Sequence, residues 1–344
     1  MLKRYSIGLM MLVAVGLMQA CSNGNNNDNS SGAVADEPVI EDPVDDPVED
    51  PVILPDNVLL FTERDVSNAT VQQLIEDGEE NPDMRLSGDI DGQPVTIVKL
   101  SGKTNHFGRD KDLQYIDYHA TVPDTRIWIA EYPETRDLDV RTDDTGWWTL
   151  YIVKDAGVDL EFSFVFEKDD WITTKTNVNT IVDEDDIDFA IQFIEPYFFE
   201  FAMLPLVEGM MRENGYPNFF FENAMVVTVG KSWGSMHDDR LPHGDPGATV
   251  SITPLSDDYI PPIYFNKDVI PDLTQEDVSV DGGVTWLNMP WEGTYYVTAH
   301  KPGVTYPTVK FTFTQADKDA GVQLFIASPP DSLEGDNDSP PGEY

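Results

Sequence analysis

One serine stands in a pattern that is typical of a catalytic nucleophile. Ser232 is the centre of a G-x-S-x-G motif at 230–234, and an apolar strand is predicted just before it. A nucleophile of this kind needs a helix directly after it, whereas the residues up to Pro242 soon lead into prolines and glycines. Asp272 and His300 could supply the acid and base, but no signature marks them. We expect a loop serine, and catalysis by Ser232 is the alternative.

Four of the five histidines lie in corresponding regions of two similar halves of the chain. They are His106 and His119 in the first half, and His237 and His243 in the second. Imidazoles with carboxylates beside them bind transition metals, and the segment 237–243 contains both. The spacing between its two histidines is not a strong zinc pattern. We expect solvated loop histidines, and a histidine metal site is the alternative.

Acidic turns raise the alternative of bound calcium, because Ca²⁺ takes hard oxygen ligands from loops. No complete calcium loop with its closing glutamate follows the first of these turns. We therefore expect a solvated acidic surface and no cofactor. If calcium is bound, its candidate ligands are Asp89, Asp91, Asp143, Asp144 and Asp281.

Aromatic residues offer a third kind of site. The chain has 7 Trp, 13 Tyr and 17 Phe, and most of them alternate along predicted strands as core residues do. Only one ring of the pair Trp147 and Trp148 can face inward, because neighbouring side chains of a strand point to opposite sides. The other ring must be exposed or contact a partner. A ligand platform on this pair, or on Trp291, is therefore an alternative to a purely structural role.

The elements that position these residues are predicted to be short β-strands. Alternating apolar, β-branched and aromatic residues are separated by Gly, Pro, Asp and Asn, which is typical of antiparallel sandwiches. Two short helices are also predicted, one capped by Ser67 over 69–76 and one that begins at Pro205 and stops at Gly215. The predicted fold class is all-β, with two antiparallel β-sandwich domains. The predicted strands are 126–129, 147–152, 160–166, 224–229, 248–252, 294–298 and 309–313.

The two halves repeat the same order of parts: a strand, an acidic glycine turn, an aromatic strand, a second glycine turn and another strand. In the second half these include the GATV motif at 247–250, the DGG motif at 281–283 and the KPG motif at 301–303. These signatures resemble carboxypeptidase-regulatory-like domains, over about 220–328 and more loosely over 95–195. The resemblance implies Ig-like or transthyretin-like (prealbumin-like) sandwiches, which usually serve as accessory, adhesive or spacer modules. It argues for a fold and brings no catalytic residues.

The amino terminus indicates export. Lys3 and Arg4 precede an apolar stretch, 7–20, that is too short for a relaxed membrane span. Cys21, the only cysteine, follows this stretch directly, and the sequence LMQAC at 17–21 resembles the lipobox of bacterial lipoproteins. That resemblance implies a lipidated, for example palmitate-bearing, Cys21 as the first mature residue, and Ser22 after it implies sorting to the outer membrane. An ordinary signal peptide with a free thiol is the alternative.

The charge is strongly negative. The chain has 63 acidic and 21 basic residues, and its formal net charge is −42. Such a chain repels phosphate backbones, which excludes nucleic acid as a partner. Part of the charge lies in a Pro-Val repeat between 36 and 56, where like charges and prolines favour an extended stalk.

These features predict six segments along the chain. The stalk and tail should be disordered, and the connector between the sandwiches should be apolar and helical. The segments are the signal peptide 1–20, the stalk 21–56, the first sandwich 57–195, the connector 196–219, the second sandwich 220–330 and the acidic tail 331–344.

The sequence predicts a non-catalytic surface lipoprotein that presents its sandwiches for binding or adhesion. Its partners would be a membrane, through the lipid anchor, and an unidentified protein or carbohydrate ligand. It would face the periplasm or the cell exterior from the outer membrane. The alternatives are an envelope hydrolase that uses Ser232 or a histidine metal site, and a structural accessory subunit of an envelope complex.

Overall fold

The computed structural model describes most of the body of the chain between 53 and 327. All of the described residues belong to one unit, Pro51–Tyr344. The predicted signal peptide, most of the stalk and the acidic tail lie outside them. The described residues are 53–54, 57–61, 67–80, 86–90, 93–106, 120–181, 192–194, 205, 207–230, 244–254, 256 and 259–327.

This part of the chain consists mainly of short strands, which we number in chain order. The helices are α1 (Asn68–Glu80), a 3₁₀ helix (Pro133–Leu138), α2 (207–213) and α3 (Gln315–Asp319). The strands are β1 (Val58–Phe61), β2 (Leu86–Ile90), β3 (Gln93–His106), β4 (Arg126–Ile129), β5 (Trp147–Asp155), β6 (Leu160–Phe162), β7 (Phe164–Glu167), β8 (Thr173–Thr176), β9 (Asn179–Ile181), β10 (Gln192–Ile194), β11 (Ala224–Thr228), β12 (Thr249–Thr253), β13 (Ile263–Phe265), β14 (Pro271–Asp272), β15 (Gly283–Leu287), β16 (Gly293–His300), β17 (Thr308–Phe313) and β18 (Val322–Ala327).

A five-stranded sheet is formed by the first part of the chain. Its order is β1-β5-β3-β10, and β2 pairs with the first part of β3. The long β3–β5 pair is antiparallel, with Leu100 opposite Leu150. On one face of this sheet, Val95 and Val153 pack against Val71 and Ile75 of α1. The helix therefore covers that face of the sheet.

An eight-stranded sheet combines strands from both predicted sandwiches. Its order is β14-β13-β15-β11-β18-β8-β7-β4. The last strand, β18, lies between β11 and β8 and is parallel to both. The segments 57–195 and 220–330 thus share a sheet, while the boundary between two domains stays a prediction.

The eight-stranded sheet is buried on both faces, as β7 illustrates. Phe164 and Phe166 pack with the five-stranded sheet, whereas Val165 packs into the core on the opposite face. This opposite core is closed by the antiparallel sheet β12-β16-β17, through residues such as Val297 and Phe311. Alternation along a strand therefore serves two cores at once. Further along the sheet, Met211 of α2 packs against the face away from the β12-β16-β17 sheet.

The all-β sandwich-type fold is confirmed, but the pairing is not purely antiparallel. Among the strands that the structure describes, four pairs are parallel: β1 with β5, β3 with β10, β11 with β18 and β18 with β8. Parallel neighbours cannot be joined by a tight hairpin, so strands far apart in the sequence supply them. The predicted strand 160–166 is also divided at Ser163, whose backbone N–H donates to the Glu131 carboxylate. β6 then pairs with β9, and β7 pairs with β4 and β8.

Both predicted helices are present. The Ser67 hydroxyl accepts a hydrogen bond from the Thr70 backbone N–H, as expected of a residue that caps α1. The second predicted helix is α2, and its Met211 is fully buried. Within the described residues, no helix has the length and apolar character needed to span a membrane.

Candidate functional site

The predicted nucleophile and four of the nine predicted metal ligands lie outside the residues that the structure describes. The backbones of Asp89 and His106 lie in β2 and β3, without a described side chain. Lipidation, serine catalysis and a histidine metal site therefore stay predictions. The residues outside the described part are Cys21, Asp91, His119, Ser232, His237 and His243.

The two ends of the Ser232 segment are described. Gly230 and Gly244, the residues that flank the Ser232 segment, form an isolated β-bridge and therefore lie side by side. A Cβ atom on Gly244 would lie 2.4 Å from the Gly282 backbone nitrogen and from the Ser279 carbonyl oxygen. Only glycine allows two backbones to approach so closely. The base of this segment is therefore tightly packed.

A buried polar cluster, formed by Asp245, Lys301 and Tyr306, adjoins this base. One carboxylate oxygen of Asp245 accepts a hydrogen bond from the Lys301 ammonium, and the other accepts one from the Tyr306 hydroxyl. Burial, together with the hydrogen bond and charge of Asp245, raises the pKa of Tyr306 far above its usual value. Tyr306 therefore stays protonated and keeps donating. Both oxygens of Asp245 have partners, which favours a structural role for the cluster.

The residues proposed to assist Ser232 have other partners. The Nε2 atom of His300, at the end of β16, lies 2.7 Å from the Ser251 hydroxyl oxygen. Asp272, in β14, accepts hydrogen bonds from the backbone N–H and hydroxyl of Thr274. His300 and Asp272 thus belong to different sheets. Their described contacts do not pair them as a base and its acid.

Two of the acidic calcium candidates bind protein donors. The Asp281 carboxylate accepts a hydrogen bond from the backbone N–H of Gly283. The Asp143 carboxylate accepts three hydrogen bonds within its own turn. Across the described ranges, no group of three or more His, Cys, Asp or Glu side chains could hold a metal ion. Asp143, Asp144 and Asp281 therefore do not form such a group there.

The tryptophan pair at the start of β5 confirms that only one ring faces inward. Trp148 is 2% exposed, and its ring centroid lies 5.0 Å from that of Phe164 and 6.1 Å from that of Phe166. Trp147 is 49% exposed. The strand thus anchors itself through one indole and presents the other to solvent.

A braced turn holds Trp147 in position. The Oδ1 atom of Asp143 accepts hydrogen bonds from the Thr145 backbone N–H and hydroxyl, and from the Trp147 backbone N–H at 3.1 Å. Gly146 has a φ of +81°, and a Cβ atom there would lie 2.6 Å from the Thr121 Cβ atom. Its carbonyl also accepts a hydrogen bond from the Thr104 backbone N–H. The exposed indole is therefore carried by a rigid backbone.

A shallow groove of about 430 Å³ lies beside Trp147. It is lined by Asn57, Asp139, Arg141, Asp143 and Thr149, among others. Hydrogen bonds from neighbouring arginines lower the pKa of Asp139, and those from Thr145 lower the pKa of Asp143. Both carboxylates are therefore ionised at neutral pH. We call this surface the Trp147 groove.

An ion-pair network orders one wall of the groove. Oδ1 of Asp139 accepts hydrogen bonds from the Nε atoms of Arg126 at 2.7 Å and Arg141 at 3.0 Å. Arg141 also donates to the Asp124 carboxylate at 3.0 Å. The charge of the arginines is thus largely compensated. We call these four residues the groove network.

Trp291, the other predicted platform, is used inside the protein. Its ring centroid lies 6.1 Å from that of Phe313 and 5.9 Å from that of Phe325. The Lys318 ammonium lies 5.6 Å from the same ring. These contacts favour a role in packing over a role as an open platform.

Neither of the two buried charge clusters, nor the groove network, was predicted from the sequence. Lys301 was part of a recognised turn motif, but its partner Asp245 is 56 positions away. A second buried pair, Lys175 with Asp317, joins residues 142 positions apart. No local pattern reports such distances, and neither Lys175 nor Lys301 lies inside a predicted strand, so no strand pattern marked these lysines as buried.

Comparisons with known proteins identify no family. No family model matches the chain, and no curated protein matches it. Among solved structures, it is similar to the shaft pilin SpaA from Lactobacillus rhamnosus GG, with a TM-score of 0.19 and 10% identity over 70% of this chain and 100% of that chain. It is also similar to the major pilin T-13 from Streptococcus pyogenes serotype GAS131465, with a TM-score of 0.16 and 10% identity over 64% of this chain and 85% of that one. The carboxypeptidase-regulatory-like resemblance stays a prediction.

Proposed function

We propose that the chain is a non-catalytic surface lipoprotein that presents a rigid β-sandwich body for binding or adhesion. Cys21 would carry the lipid, and the acidic Pro-Val stalk would separate the body from the membrane surface. The proposal places the protein at the outer membrane, facing the periplasm or the exterior. The sequence features of the amino terminus support the anchor, and the Trp147 groove supports the binding role.

The observation that carries the binding role is the exposed indole of Trp147 on its braced turn. Aromatic side chains that become covered on binding contribute much of the energy in binding sites, and Trp147 combines exposure with a braced turn and an adjoining groove. Because the turn is already fixed by Asp143 and Gly146, binding would cost little conformational entropy. Trp148, which packs against Phe164 in the core, anchors the same strand, β5.

The binding role is tested with the full chain and two single variants. Labelled protein is incubated with intact cells and with envelope fragments, and bound protein is measured against concentration. We expect saturable binding that Trp147→Ala weakens. Tyr296→Ala is the matched control, because Tyr296 is another exposed aromatic, 44% exposed, on the three-stranded sheet. Equal binding by all three proteins would rule out the Trp147 groove as the binding surface, and no binding by any would refute the proposed function.

The anchor is tested separately. Mass spectrometry of the mature amino terminus should detect an acylated Cys21. Cys21→Ser should move the protein from the membrane fraction to the soluble fraction, because one polar side chain cannot replace acyl chains. An unmodified Cys21 in a soluble protein would refute the lipoprotein assignment.

Two further measurements test the alternatives. A general esterase screen on wild type and Ser232→Ala, with metal analysis of the purified protein, addresses the hydrolase. Turnover that depends on Ser232, or stoichiometric zinc, would overturn the non-catalytic assignment. Stable co-purification of one envelope complex would instead favour the accessory subunit.

A further inference from the structure

The Trp147 groove combines an apolar platform with hydrogen-bonding groups that are already in place. The half-exposed indole offers apolar surface and an N–H donor, while Asn57, Arg141 and Thr149, which carry polar groups, line the same groove. Its volume of about 430 Å³ falls in the range of small-molecule sites, roughly 300–1,000 Å³. A ligand for this site must therefore be apolar on one face and polar at its edges.

The charges of the groove exclude one class of ligand, the polyanions. The groove contains two ionised carboxylates, Asp139 and Asp143, whereas Arg141 is already paired with Asp139 and Asp124. A polyanion would meet these carboxylates in a chain of net charge −42 and would be repelled. A ligand that donates hydrogen bonds without carrying negative charge fits better.

The carboxylates of Asp139 and Asp143 can still accept hydrogen bonds from a ligand. The hydrogen bonds from Arg126 and Arg141 to Asp139 end on Oδ1, and so do those from Thr145 and Trp147 to Asp143. An ionised carboxylate has about four acceptor sites on its two oxygens, so Oδ2 of each residue can accept from a ligand. Neighbouring hydroxyl groups on a ring are donors of this kind.

We propose that the Trp147 groove binds a neutral saccharide, with a sugar ring stacked on the Trp147 indole and its hydroxyls donating to Asp139 and Asp143. The C–H bonds on the face of a sugar ring carry partial positive charge, and an aromatic face is the negative part of its quadrupole. The hydroxyl groups lie around the rim of the same ring, where the groove carries its polar atoms. This inference rests on the proposed function and names its ligand class.

The test uses the full chain, purified in detergent, and a panel of neutral oligosaccharides built from glucose, galactose, mannose or N-acetylglucosamine. Dextran sulfate serves as the polyanionic probe. Binding is measured by calorimetry and by retardation in gels that contain the matching polysaccharide. We expect wild type and Tyr296→Ala to bind at least one neutral probe and to ignore dextran sulfate. Trp147→Ala should bind at least about tenfold more weakly, and Trp147→Phe should recover part of the loss.

Three results would overturn the saccharide assignment: no neutral probe bound by wild type, binding unchanged in Trp147→Ala, or preference for dextran sulfate. Trp147 is exposed, so Trp147→Ala should fold, and circular dichroism checks this. If wild type binds cells through Trp147 but binds no neutral probe, the proposed function survives and the saccharide is wrong. If it binds neither cells nor probes, both proposals fail.

Discussion

Two sets of ion pairs in this protein have similar distances between nitrogen and oxygen, but one set is buried and the other is exposed to water. Lys175 lies 2.9 Å from Asp317, and the two side chains are 2% and 4% exposed. In the groove network, Arg126 lies 2.7 Å from Asp139, and those side chains are 28% and 53% exposed. Water screens the second pair and not the first. The comparison indicates that burial, rather than distance, decides how much each pair matters for folding.

The buried pair also joins distant parts of the fold. Lys175 lies in β8, and Asp317 lies in the first turn of α3. The Lys175 ammonium donates to both oxygens of Asp317 and to the Thr312 carbonyl at 3.0 Å. Asp317 in turn accepts from the Thr314 backbone N–H, which completes a capping box at the start of α3. The pair therefore links the two predicted sandwich segments through a fully used carboxylate.

The largest effect should come from breaking this buried pair on one side. Lys175→Met removes the cation and leaves Asp317 buried without its partner, which should lower the free energy of unfolding by about 3–5 kcal/mol. Urea denaturation at neutral pH measures the loss. Arg141→Gln, the corresponding change in the groove network, should lower the free energy of unfolding much less.

A double variant sharpens this prediction. Lys175→Met with Asp317→Leu removes both charges, and apolar replacement of a whole buried pair is often close to neutral. The double variant should therefore be more stable than Lys175→Met alone, although it loses the hydrogen bond that Asp317, at position N3 of the capping box, accepts from the Thr314 backbone N–H, at a cost of about 1 kcal/mol. A single variant as stable as wild type would show that burial does not strengthen this pair.

The Asp245 cluster should rank second. Asp245→Asn keeps the shape but weakens the acceptance of two hydrogen bonds, from Lys301 and Tyr306. We expect a loss of about 1–3 kcal/mol in the free energy of unfolding, measured by urea denaturation. Tyr306→Phe is the matched control because it removes one of the two hydrogen bonds, and it should cost about 1 kcal/mol. If the control costs more than Asp245→Asn, packing of the phenol rather than its bond to Asp245 stabilises the cluster.

Alkaline pH should lower the stability that the buried tyrosines contribute, whereas the groove carboxylates should be unaffected there. Burial raises the pKa values of Tyr264, Tyr295 and Tyr306, all in the core between the eight-stranded and three-stranded sheets. A raised pKa in the folded state gives stability that is complete below the unfolded value of about 10 and is lost as pH rises above it. The urea midpoint should therefore fall above about pH 10. In the groove, the pKa values of Asp139 and Asp143 are lowered, so their contribution is lost only in acid, below about pH 4.

Tyrosinate absorbance during an alkaline titration measures this difference. Tyr264, Tyr295 and Tyr306 should ionise above pH 10, in a late step of the titration that accompanies unfolding. Tyr306→Phe should reduce the amplitude of the later step. A single step near pH 10 with the fold intact would contradict the prediction.

The sequence could predict what is local in this structure. Alternation predicted that most aromatic residues of the strands are core residues, and Phe162, Phe164 and Phe166 of the predicted strand 160–166 are fully buried. It also predicted that one ring of the Trp147–Trp148 pair faces outward. These statements depend only on neighbours along one strand, for which side-chain direction follows from the backbone.

What depends on distant partners could not be predicted. The strand β18 was not predicted, and it completes the eight-stranded sheet by pairing in parallel with β8 and β11. The brace of Trp147 depends on Thr121 and Thr104, which are distant from Gly146 in the sequence and lie next to it only in the folded chain. A sequence pattern gives the direction of the indole, whereas the fold gives its rigidity and the groove beside it.

The smallest effect on stability should come from the groove network. Arg141→Gln removes hydrogen bonds to Asp139 and Asp124, but its side chain is 36% exposed and its partners are exposed further. We expect a loss below about 1 kcal/mol, measured by urea denaturation in dilute buffer.

Salt provides the decisive contrast for this variant. In about 1 M salt the screening length falls to about 3 Å, so the difference between Arg141→Gln and wild type should shrink towards zero. The difference between Lys175→Met and wild type should persist, because salt does not reach a buried pair. A loss in Arg141→Gln as large as that in Lys175→Met, and unchanged by salt, would mean that the groove network is part of the folding core. The groove residues would then contribute mainly to folding stability, and the exposure of the Trp147 indole would be incidental. The proposal of a ligand at Trp147 would lose its physical basis.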